Sequence, residues 1–302
     1  MSELMGAELM QSATQDATSR LPSSISGRGW LVPIGGRMES RSILTRFLAL
    51  CGGPEAHIAV LPTASNEPDA REYYEELFSR FEVGTVDVLP VRARVDAANP
   101  ALLARLAEAN GIFFTGGNQL KLVTLLGGTP MAAMLRARFA AGVHVAGTSA
   151  GAACLSTQMI AFGEEGTLPR AAMVTTVAGL GLTDRFIIDQ HFRERDRLGR
   201  LVTAVAYNPI FVGLGVDEDT AAFISPDDVM HVVGSGSVTV VDPFHLDSTE
   251  LLEALPGTPV ELPGMTVHVM AAGTVCDLDE LTSQSSSADP ASSSSHADAH
   301  PS

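Results

Sequence analysis

The sequence predicts a single α/β domain built on a mostly parallel sheet, with helices on both faces and antiparallel additions in its C-terminal half. Three observations carry this reading. Short runs of aliphatic and β-branched residues alternate with helix-period segments as far as residue 153. These runs are apolar throughout, the pattern of strands covered on both faces. No linker rich in Pro, Gly or Ser interrupts residues 29–281, so the 302-residue chain reads as one large domain with two short tails.

The elements follow in order. A strand is expected in WLVPIGG from Trp30, then a helix from Arg41 to Cys51. HIAVLPTAS from His57 and DAREYYEELFSRF from Asp69 repeat the pair, and TVDVLPV (Thr85 to Val91) and ALLARLAEAN (Ala101 to Asn110) repeat it again. GIFFTGG from Gly111 is a further strand, followed by two helices between Asn118 and Ala141 and by the strand that opens VHVAGTSAGAA at Val143. After Arg170 the apolar runs AAFIS, VMHVVGSGSVTVVD and VELPGMTVHVM are separated by Gly, Asp and Pro turns, which predicts antiparallel strands. Residues 1–28 and the Ser-rich residues 282–302 hold too little apolar surface for a core and are expected to be disordered tails.

Composition narrows the function. Hydrophobic residues make up 45% and charged residues 18%, enough apolar surface to offset the entropy of ordering a large domain. The net charge of −16, from 19 Lys+Arg against 35 Asp+Glu, argues against a general binder of nucleic acid or of anionic membranes. The three cysteines form no CxxC or Cys/His cluster, so neither a disulfide framework nor a zinc site is expected. The first residues lack the basic and apolar regions of a signal peptide, and no apolar run approaches the roughly 18 residues of a membrane span. A soluble cytoplasmic protein is the expectation.

Chemistry concentrates in four segments. Gly147-Thr148-Ser149-Ala150-Gly151 is a G-x-S-x-G motif between a strand and a small-residue helix start. A nucleophile on so sharp a turn needs glycine on both sides, because side chains there would strike the neighbouring strand and helix. The plainer alternative is an ordinary strand-to-helix turn with Ser149 as N-cap. In FFTGGNQLKL from Phe113, Gly116 or Gly117 could offer a backbone N–H that, with the N–H of Ala150, forms an oxyanion hole. In IIDQHFRERDRLGRL from Ile187, His191 is the best-placed base among the eight histidines, ahead of what reads as a strongly charged helix. GLGVDEDTAAF places Asp217, Glu218 and Asp219 after an apolar strand, where one of them could orient His191.

Together with IGGRME at Ile34 and AVLPTAS at Ala59, these four motifs, in this order, resemble the serine peptidase family of cyanophycinases and aspartyl dipeptidases. The resemblance implies a class I glutamine amidotransferase-like fold, with Ser149 as nucleophile, His191 as general base and Glu218 as the third triad member. It implies an oxyanion hole from Gly117 and Ala150. It also implies cyanophycin as substrate, a poly-aspartate whose β-carboxyls are amide-linked to arginine, cut to β-aspartyl-arginine. Because each side group carries a guanidinium and a carboxylate, Asp189 is expected to bind the cation. Arg195, Arg197 and Arg200 would clamp carboxylates, with Gln119 and Gln190 adding neutral hydrogen bonds. No metal or cofactor is implied, and relatives associate as dimers. Arg37 and Met38, after the first Gly-Gly, depart from what relatives would carry. The alternatives are an aspartyl dipeptidase, with less need of the arginine cluster, and a non-catalytic binding homologue.

Overall fold

The computed structural model describes residues 27–67, 69–247 and 249–284. Its first half alternates as expected: β1 (Leu31–Ile34), α1 (Ser42–Leu50), β2 (His57–Leu61), α2 (Ala70–Ser79), β3 (Thr85–Val88), α3 (Pro100–Glu108), β4 (Gly111–Phe114), α4 (Gln119–Leu126), α5 (Pro130–Ala140) and β5 (His144–Thr148). Local chemistry starts the helices. Asn99, Asn118 and Thr129 each accept a backbone N–H of the first turn of α3, α4 and α5, and Pro100 and Pro130 pre-set φ at two of these starts.

The second half holds the one-turn helix α6 (Ala150–Ala153), β6 (Gln158–Gly163), β7 (Val174–Ala178), β8 (Phe186–Gln190), α7 (Leu198–Tyr207), β9 (Val212–Val216), β10 (Thr220–Ile224), β11 (Val229–Gly234), β12 (Ser237–Asp242), β13 (Thr266–Ala271), β14 (Val275–Asp277) and α8 (Leu278–Gln284). The main sheet runs β14-β11-β10-β1-β5-β4-β2-β3, with β1, β5, β4, β2 and β3 parallel and β10, β11 and β14 added antiparallel. A second sheet runs β13-β12-β9-β8, and β6 with β7 forms a separate hairpin.

Alternate residues of the central strands enter opposite cores, which is why those strands read as unbroken apolar runs. Leu31, Ala59, Leu61, Ile112, Phe114 and Val145 pack on one face with α3, α4 and α5. Val32, Ile34, Ile58, Val60, Phe113 and Ala146 pack on the other with α1 and Phe78 of α2. The first cluster continues through Ile188, Leu214, Val216 and Val238, so the two sheets share one core.

Two expectations change. The charged segment after His191 is a turn and not a helix face, since α7 begins only at Leu198, after Asp196 at φ 49°. The packed body also exceeds residues 29–281: Arg28 reaches the Asp228 carboxylate at 2.6 Å, and Thr282 is buried in α8. Of the tails expected over 1–28 and 282–302, residues 1–26 and 285–302 lie outside the described residues.

Candidate active site

Strand register decides which side chains meet. Ile34 pairs with Thr148 and Phe114 with Gly147, so the residues after β1, β4 and β5 emerge side by side at the C-terminal edge of the parallel sheet. Gln190 pairs with Val216 across the parallel strands β8 and β9, which brings His191 and the acidic run at 217–219 just beyond two adjacent strand ends.

Ser149 sits on a strained turn, with φ 53° and ψ −116°, and donates its N–H to Ile34 O at 3.0 Å. The flanking glycines are required sterically: a Cβ at Gly147 would lie 2.2 Å from Gly151 O, and one at Gly151 would lie 2.5 Å from Phe114 O. The N-cap alternative fails, since the Ser149 side chain makes no capping bond to α6. Its Oγ lies 2.8 Å from Nε2 of His191 instead, and 3.4 Å from Oε1 of Gln190.

The His191 ring is held from three sides. Nδ1 meets Oε1 of Glu218 at 2.6 Å, the backbone N–H of His191 donates to Gly35 O at 2.7 Å, and the ring covers Gly36, where a Cβ would stand 2.2 Å from Cε1. With a proton on Nδ1 bound to the carboxylate, Nε2 is left to accept the serine hydroxyl. Burial lowers the His191 pKa below its ordinary value; the Glu218 hydrogen bond works against this, and Arg195 lowers it further. The imidazole is therefore neutral and basic at neutral pH.

The three acidic residues part company. Glu218 alone reaches His191; Asp217 is buried and accepts from the N–H and hydroxyl of Ser237 at 2.9 and 2.7 Å. Asp219 accepts from the Glu39 and Ser40 amides, both at 2.8 Å. Arg37 stands with Nε 3.6 Å from Oε2 of Glu218.

Beside Ser149 opens a cavity of about 320 Å³, lined by Gly117, Gln119, Gln190, Arg195, Arg197 and Arg200 among others. Gly117 has φ +138°, and a Cβ there would lie 2.2 Å from Ala64 O, so the Gly-Gly turn is pressed onto the loop after β2. Ala150 opens α6 and is buried. Since α6 spans only four residues, its dipole adds little to whatever the Ala150 N–H supplies. Gln119 donates Nε2 to Ala161 O at 2.9 Å.

Asp189 requires correction. It is buried, accepts Nε and Nη2 of Arg200 at 2.7 and 2.5 Å, and lies 3.6 Å from Nη1 of Arg197. Two arginines in low dielectric already occupy this carboxylate, so it orients them and is not open to a ligand cation. Arg197 donates Nη1 to Gln190 O at 2.6 Å, while its Nε is buried without a partner. Desolvation lowers its pKa to about 10, which leaves it charged at neutral pH. Arg195 is exposed at the cavity.

Two contributors had no clear mark in the sequence. Gly36 forms the floor under the imidazole, and the β6–β7 hairpin brings Ala161, Phe162 and Gly163 into the cavity wall. The Gly-Gly pair after β1 was one available signal for the first. Among the described residues no group of His, Cys, Asp or Glu is arranged to hold a metal ion, and no helix is long and apolar enough to cross a membrane.

Known proteins resemble this chain in sequence and in fold. A cyanophycinase of Synechococcus elongatus is 39% identical over 264 residues, covering 85% of this chain and 82% of that protein. A cyanophycinase of Geminocystis herdmanii is 36% identical over 251 residues, covering 82% and 92%. The crystal structure of a peptidase from an acI-B1 actinobacterium matches with a TM-score of 0.61 at 23% identity, over 83% of this chain and 97% of that one, and shares the glutamine amidotransferase-like α/β fold. The sequence model of peptidase family S51 matches residues 33–232, a stretch that holds Ser149, His191 and Glu218. On that match and on relatives 36–39% identical over most of its length, this chain belongs to peptidase family S51 and is a serine peptidase.

Proposed function

We propose that the chain is a cyanophycinase, hydrolysing the aspartyl backbone of cyanophycin to β-aspartyl-arginine. The observation that carries this is a Ser149–His191–Glu218 relay opening onto an arginine-rich cavity. His191 Nε2 takes the hydroxyl proton as Ser149 Oγ attacks an aspartyl carbonyl carbon. The oxyanion that forms faces the Gly117 and Ala150 amides. His191 then passes the proton to the leaving nitrogen, the C–N bond breaks, and water attacks the acyl-enzyme by the same route. Glu218 keeps the proton on Nδ1 and stabilises the imidazolium.

Substrate carboxylates fit the guanidinium lining of Arg195 and Arg197, while Asp189 holds Arg200 and Arg197 in place. Gln119 and Gln190 add neutral contacts at the wall. The polymer is nearly zwitterionic, so a net charge of −16 does not repel it. The names of the relatives favour this substrate over a short aspartyl dipeptide, as does the arginine lining. A cytoplasmic homodimer belongs to the same reading, and light scattering on the purified protein tests the dimer.

The test is purified protein on insoluble cyanophycin in chelator-containing buffer, with Ser149→Ala beside it. Clearing to β-aspartyl-arginine that the variant lacks supports the reading. No clearing, with activity on aspartyl dipeptides, replaces it by the dipeptidase.

A further inference from the structure

The correction at Asp189 leaves a ligand of mixed charge half served. The polar side chains that line the cavity are Ser149, Gln119, Gln190, Arg195, Arg197 and Arg200, none of them acidic. The three arginines of the lining mark this interior as a place for an anion. A guanidinium on the same substrate must therefore be received at the rim.

The rim is the β6–β7 hairpin. Its register pairs Ile160 with Thr176 and Phe162 with Thr175, so Ala161 is an extra residue in β6. In a regular strand Ile160 and Phe162 would share a face. The bulge turns Phe162 away, leaving Ile160 buried in the core under α7 while the Phe162 ring lines the cavity with 64% of its surface exposed. Gln119 fixes the bulge by donating to the carbonyl of Ala161 itself. The chain then continues into Glu164 and Glu165, both exposed and without an ion-pair partner among the described residues. Glu165 lies near enough to Arg197 to raise its pKa against the desolvation that lowers it.

We propose that Phe162 and Glu165 form the recognition platform for the guanidinium of the substrate's arginine, the ring stacking on its plane and the carboxylate pairing with its edge. This rests on the arginyl substrate proposed above. Carboxylate inward and guanidinium outward would then fix the orientation of each β-aspartyl-arginine unit beside Ser149.

The test compares kcat/KM on a (β-aspartyl-arginine)3 oligomer with that on its citrulline counterpart, which has nearly the same shape and no charge. Wild-type enzyme prefers the arginyl oligomer. Phe162→Leu, which keeps the apolar surface and removes the ring, lowers the arginine-to-citrulline ratio roughly tenfold, chiefly through KM, and Phe162→Trp maintains it. Glu165→Gln lowers the ratio too and removes its salt dependence. A ratio within twofold of wild type in both Phe162→Leu and Glu165→Gln overturns the platform and leaves the peptidase reading standing. Wild-type enzyme inert on both oligomers overturns the arginyl-substrate reading and the platform with it.

Discussion

Replacing Gly36 by alanine tests how tightly the relay is built. The new Cβ would fall 2.2 Å from Cε1 and 2.4 Å from Nδ1 of His191. Ordinary carbon contacts need roughly 3.5 Å, so the ring has to retreat by about 1 Å or more. It cannot do so within its hydrogen bonds, which span 2.8 Å to Ser149 and 2.6 Å to Glu218. A displacement of that size costs about a hundredfold in rate, and losing the base altogether costs more. Gly36→Ala is therefore expected to lower kcat/KM on the arginyl oligomer by at least about a hundredfold. The positive φ of +151° adds backbone strain, so a control is needed that carries strain alone. Gly273 has φ +91° with nothing within 4 Å of a built Cβ, and Gly273→Ala should lose stability without losing rate. Folded Gly36→Ala enzyme, checked by circular dichroism and thermal melting, with kcat/KM within threefold of wild type would refute the packing argument.

Other expectations are briefer. Glu218→Gln should lose about three to four orders of magnitude in kcat, since the carboxylate no longer holds the imidazolium. Asp219→Asn should be mild in rate, and Asp217→Asn should act mainly on melting temperature through its bonds to Ser237. The acid limb of the kcat/KM profile should turn at a pH below the ordinary histidine value of about 6.5, because burial lowers the His191 pKa and the reactive form is the neutral one. Arg195→Ala removes a charge that lowers this pKa, so the limb should shift upward; a downward shift contradicts the assignment. Arg200→Ala removes both hydrogen bonds of the closer cation and leaves the buried Asp189 carboxylate with Arg197 at 3.6 Å, so it should destabilise the fold by up to about 3 kcal/mol in chemical unfolding.

The sequence was most legible where one signal had one physical cause. Strands covered on both faces produce apolar runs, so the parallel half could be read from Trp30 to Thr148. The Ser149 turn was legible because the two glycines answer a steric demand, now located at Gly151 O and Phe114 O. The charged stretch after His191 was less so. Arginines on a solvated helix and arginines buried against an aspartate look alike in a string of letters, and only the fold reveals that Arg197 and Arg200 share Asp189. The hairpin was missed for a related reason: the bulge at Ala161 breaks the alternation of β6, and no Gly, Pro, Asn or Asp stands at the bulge to announce it. Glu218 was distinguishable from its neighbours only by resemblance, since successive residues at a strand end point in different directions and the register across β8 and β9 is not written locally.

The central claim is that Ser149, activated by His191, is the nucleophile. The most direct measurement is inactivation by a fluorophosphonate, followed by peptide mapping. The account predicts one equivalent bound, located on Ser149, hydrolysis falling in step with labelling, and little labelling of His191→Ala. Full labelling with hydrolysis intact, or a label on any other residue accompanying inactivation, would contradict it.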